Sequence, residues 1–138
     1  METGSYELAL NRIIIEVYHL LKDDESGHDF GHCMIVLNHV IQALVEMDGE
    51  LSEQTKFAIK CAAILHEADD EKIVKTENYF NARSIIKELN LETWNIGIDN
   101  VDEFIELVIS MIDKVSTRSN GICTVGEPWE LIVSMLIN

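Results

Sequence analysis

The chain has 138 residues, 47% of them hydrophobic, which is enough for a single domain with a buried core. Its 25 acidic and 10 basic residues leave a formal charge of -15. Such a charge repels a phosphate backbone and excludes duplex nucleic acid as a direct partner. No apolar run approaches the roughly 18 residues of a membrane span, and no basic stretch with an apolar signal core opens the chain.

The spacing of apolar residues predicts helix almost throughout, with one proline, Pro128, in the whole chain. A first helix is expected over about Tyr6 to Leu21, with Leu8, Ile13, Ile15, Val17, Leu20 and Leu21 forming a broad apolar face. Lys22 to Gly27 breaks it. The second helix is expected from Asp29, a candidate N-cap, to Met47, where Asp48-Gly49 ends it. Ser52 opens a third, running to about Ala68, and a fourth is expected over Thr76 to Leu89. A fifth begins at Asn100 or Val101, behind an acidic segment that suits a helix N-terminus, and runs to Asp113. Ser116 to Glu127 reads as an irregular loop. Pro128 then sits at a first helical position, and Trp129 to Ile137 begins a sixth helix. The expectation is one all-α domain over residues 1–138, a bundle of five to six helices.

Cys33, Cys61 and Cys123 are odd in number and form no CxxC pair, so they read as reduced thiols of a cytoplasmic protein.

Two segments stand out chemically. Gly27-His28-Asp29-Phe30-Gly31-His32 leads into the apolar stretch of the second helix, and Ala62 to Asp70 reads Ala-Ala-Ile-Leu-His-Glu-Ala-Asp-Asp. A lone helical histidine is commonly structural. Here His32 and His66 each emerge from an apolar helix, and Glu67 stands directly beside the second. Neutral imidazole with carboxylate suits a divalent ion that activates water, so these three are candidate metal ligands. His39 lies two turns beyond His32 on nearly one face, and His28 just precedes the helix; both are candidates for supporting positions around the site.

Asp69 and Asp70 could be a solvated helix end. Acidic groups there oppose the helix dipole, which makes a compensating cation the sharper reading. His66-Glu67-x-x-Asp70 is one residue away from the zinc-protease pattern HExxH, whose second histidine is missing here. Downstream, Asp113 to Gly121 supplies hydroxyls with Lys114 and Arg118, a polar loop that could hold a phosphate.

These landmarks resemble the HD superfamily of metal-dependent phosphohydrolases, in a small-domain branch with tandem aspartates after the HD pair. Gly27 to Leu44 resembles the first motif and Ala62 to Asp70 the second. Asn81-Ala82-Arg83 with Ile85-Ile86, the Val115 to Arg118 loop and Pro128 to Ile132 follow in order, so the match spans Tyr6 to Val133. The resemblance implies an HD-domain-like helical bundle. It also implies His32 as the first metal-binding histidine, His66 and Glu67 as the HD pair, and Asp69 and Asp70 bordering the site as catalytic residues. Arg118, with Lys114, would lie near substrate phosphate.

Two departures stand against the pattern. Glu67 is one methylene longer than the family's aspartate, on the order of 1 Å of extra reach. The family's last aspartate ligand, on the helix after the Pro-Trp landmark, has no counterpart in Leu131 to Asn138, so the family's C-terminal helices are expected to be missing.

The functional expectation is a hydrolase of phosphate esters or nucleotides using Mn, Fe, Ni, Co, Mg or Zn. The partner is a small phosphorylated molecule, with no duplex nucleic acid and no membrane. The alternative is a catalytically impaired HD-fold remnant acting as a binding or interaction module. Trp129 to Ile137 is apolar on every side, which predicts a homo-oligomer formed through this segment.

Overall fold

Five helices and one 3-10 turn account for the regular structure in the computed structural model, which describes residues 5–22, 30–46, 51–68 and 81–116. In chain order they are α1 (Tyr6–Leu21), α2 (Phe30–Glu46), α3 (Glu53–Leu65), α4 (Asn81–Glu88), the 3-10 turn Leu91–Thr93 and α5 (Val101–Ser116). The chain is all-α, as its periodicity predicts.

α3 is the axis around which the others pack, touching α1, α2 and α5. Its sequence explains this position. Phe57, Ala58, Ile59, Cys61, Ala62, Ala63, Ile64 and Leu65 are all buried, and only Lys60 in that stretch reaches toward solvent. Three alanines keep the backbone slender where neighbouring helices approach closest. Ser52 starts the helix by accepting the Thr55 amide at 3.1 Å, and Ser5 does the same for α1 with the Leu8 amide at 3.0 Å. α1 contributes Ala9, Ile13, Val17 and Leu21 to the core, while α2 contributes Cys33, Leu37, Val40 and Leu44. These spacings of three, four and seven residues are the ones expected of helices with one buried stripe.

An aromatic row ties α1, α3 and α5 together at the end of α3 away from His66. Tyr6 lies 5.0 Å from Phe57, and Phe57 stacks on Phe104 at 5.4 Å. The link from α4 to α5 turns through Asn90 and Asn95, both in the left-handed region at φ 52° and 57°. Trp94 closes it, donating its indole N–H to the Leu89 carbonyl at 2.7 Å.

The structure departs from the sequence reading in three places. α3 stops at Leu65 rather than Ala68, with His66 as its C-cap. α5 continues to Ser116, so Lys114 lies on helical backbone and not in a loop. The 3-10 turn at Leu91 follows a left-handed asparagine, a signal too short to appear in helical periodicity. The Asp29 cap, residues 76–80 of the expected fourth helix, the 117–127 loop and the sixth helix lie outside the described residues. No helix among the described residues is long and apolar enough to cross a membrane.

Candidate metal centre

The centre forms where the start of α2 meets the end of α3. His32 is the third residue of α2, and His66 with Glu67 immediately follows the last residue of α3. One ligand atom from each of these residues can be chosen so that all lie within 4.8 Å of one another, the one such group among the described residues. The His32 and His66 rings sit edge to face, centroids 5.7 Å apart at 63°.

Glu67 is 8% exposed and is the sole buried charged side chain among the described residues. A carboxylate removed from water requires positive charge or donors around it. It sits beyond the carbonyl end of α3, where the helix dipole adds to that requirement. One of its partners is His66, whose Nε2 lies 3.0 Å from Glu67 Oε1.

The other His66 nitrogen fixes the tautomer. Nδ1 lies 2.6 Å from the Ala63 carbonyl oxygen, an acceptor, so Nδ1 carries the proton. Nε2 then donates to Glu67 Oε1 when the ring is protonated, and in the neutral ring its lone pair is available to a cation shared with that carboxylate. Backbone anchoring of the distal ring nitrogen is the usual way a protein orients a metal-binding imidazole.

These donors fit a divalent first-row ion. Ligand bonds near 2.1 Å set at right angles place two donors about 3.0 Å apart, and opposed ones about 4.2 Å apart. The Nε2 to Oε1 spacing of 3.0 Å matches the first figure. The 4.8 Å outer limit exceeds the second by less than an ångström, within the reach of side-chain rotation. Two imidazoles and one carboxylate suit Mn, Fe, Co, Ni or Zn better than calcium, which takes six to eight oxygens. Three protein donors also leave coordination positions open, as catalytic sites do.

His39 lies on α2 two turns from His32, exposed and outside this group. Lys114 falls on the last turn of α5, where its side chain is not described. His28, Asp69, Asp70 and Arg118 lie outside the described residues. Cys33 adjoins His32 in sequence, and both it and Cys61 are fully buried. Burial pushes the Cys61 thiol up, outweighing the opposing effect of Lys60, and so favours the protonated form of a buried core thiol.

One residue of the neighbourhood stands in a sequence landmark that assigns it no role. Asn81 at the start of α4 donates Nδ2 to the Ala68 carbonyl at 3.0 Å, bridging to the turn that bears His66 and Glu67. In sequence Asn81 falls within the expected fourth helix, and only the tertiary structure reveals its distant partner.

An uncharacterized protein of Acanthamoeba polyphaga mimivirus is 34% identical to this chain over 137 residues, covering 96% of the chain and 55% of the viral protein. The chain thus spans about half the length of that relative. No family model matches the sequence, and no solved structure matches it.

Proposed function

We propose that this protein is a metal-dependent hydrolase of phosphate esters or nucleotides, of the HD type. The observation that carries the reading is the convergence of His32, His66 and a buried Glu67 from two helices. His32 Nδ1 or Nε2, His66 Nε2 and a Glu67 oxygen would hold the ion. When bound, it supplies the Lewis acidity that polarises a phosphoryl oxygen and makes water nucleophilic at neutral pH.

The chain's own groups do the rest. The Ala63 carbonyl keeps the His66 ring aligned through Nδ1. Asp69 or Asp70, next in sequence to the ligands, orients the attacking water and accepts its proton. Lys114 and Arg118 offset the negative charge of the substrate, a need made sharper by the overall charge of -15. His39, exposed and two turns along α2, is left out of the ligand set, and a supporting position is proposed for His28 alone. The substrate is a small phosphorylated molecule, the compartment is the reducing cytoplasm, and neither duplex nucleic acid nor a membrane takes part. Self-association through Trp129 to Ile137 belongs to the same proposal.

The second reading, a catalytically impaired binding module, is favoured by the two departures from the family pattern: Glu67 in place of aspartate, and no aspartate among Leu131 to Asn138. Hydrolysis of aryl phosphates and nucleotides, measured with Mn²⁺ and with chelator, separates the two. The enzyme reading requires turnover that chelator abolishes and that His66→Ala lacks. Metal binding without turnover of any of these substrates would favour the module.

A further inference from the structure

The turn that carries His66 and Glu67 is held from outside its own helix. Beyond Leu65 the chain tightens, and the Ala68 amide donates to the Leu65 carbonyl at 2.9 Å. Ala68 is fully buried, so solvent does not serve its carbonyl oxygen. Asn81, thirteen residues on, supplies the donor through Nδ2 at 3.0 Å.

The helix that carries Asn81 is itself fastened. Arg83 pairs with Glu106, and Lys87 Nζ lies 3.6 Å from Asp102 Oδ1, both joining α4 to α5. Ala82 and Ile86 of α4 are fully buried against the core. The Asn81 amide therefore acts from a fixed platform.

We infer that Asn81 is a positioning residue for the His66–Glu67 pair: its amide sets the peptide planes of the 66–68 turn and so the direction in which both ligand side chains project. The inference rests on the metal-binding reading of that pair. A buried carbonyl deprived of its donor is avoided, so loss of the amide rotates the turn toward another partner. Metal sites are sensitive to such outer contacts because a ligand displaced by even ~1 Å no longer closes on the ion.

The test uses Co²⁺ as probe on the full chain, reading its affinity by titration, its visible absorption bands and the thermal midpoint of the metal-free protein. Asn81→Asp preserves shape and suits the first turn of a helix, but a carboxylate cannot donate. Asn81→Ala removes the group altogether and carries the comparison if the aspartate variant folds poorly. Arg83→Gln loosens α4 from α5 while leaving the Asn81 amide in place. We expect both Asn81 variants to bind Co²⁺ at least about tenfold more weakly with altered bands, and Arg83→Gln to keep wild-type affinity and bands. Asn81 variants with wild-type affinity and bands overturn the inference, as does an equal loss in Arg83→Gln, which would mean general loosening. Wild-type protein that takes up no Co²⁺ is a different failure, that of the metal reading itself.

Discussion

His66 is the residue on which the site turns, because each ring nitrogen has a separate task. Nδ1 is committed to the Ala63 carbonyl and Nε2 faces Glu67. Replacing either His32 or His66 by alanine is expected to lower metal affinity at least ~10-fold, about 1.4 kcal/mol, in isothermal titration. Unchanged metal content in both variants would remove the site. Glu67 carries the complementary prediction. Glu67→Gln keeps the shape and deletes a buried charge, so metal affinity should fall while the metal-free protein melts no lower than wild type. A glutamine variant that binds metal fully would mean the carboxylate is no ligand. Glu106 titrates visibly at this scale. Its hydrogen bond from Arg83 holds its carboxyl below the ordinary 4.5, against an opposing effect of desolvation and with a smaller contribution from the charge of Arg83. A depressed folded-state value means the contribution is present at neutral pH and disappears as pH falls through that value. The thermal midpoints of wild type and Glu106→Gln should therefore differ slightly at pH 7 and converge below about pH 4.

At the scale of elements, α3 determines how much else can vary. Its alanines are fully buried between three neighbours, so Ala62→Leu should cost about 1–3 kcal/mol in urea unfolding through overpacking. A variant as stable as wild type would place a void beside α3. The same helix shows why parts of the fold were legible in sequence. Apolar residues at helical spacing identify α1, α2, α3 and α5, and serines mark the starts of α1 and α3, because caps and buried stripes are local signals. The end of α3 was not legible. Ala68 looks helical by propensity, and the stop at Leu65 is imposed by a turn bonded to Asn81, a partner thirteen residues away. His32, His66 and Glu67 stood out because ionisable groups on apolar helices need a reason to be there. His39 shared the periodicity of His32 but lies two turns along α2, a displacement of roughly 10 Å that angular position alone does not reveal.

For the whole molecule, the proposed function ties the charge of -15 to the His32–His66–Glu67 group. An acidic chain repels phosphorylated substrates unless cations stand at the point of contact, and a bound divalent ion is the most concentrated charge it can place there. The central claim is thus metal dependence, and the metal content of protein purified without added metal tests it most directly. The account expects close to one equivalent of Mn, Fe, Co, Ni or Zn per chain, lost in His66→Ala. Less than about a tenth of an equivalent, with no gain when the protein is offered each metal in turn, would contradict it.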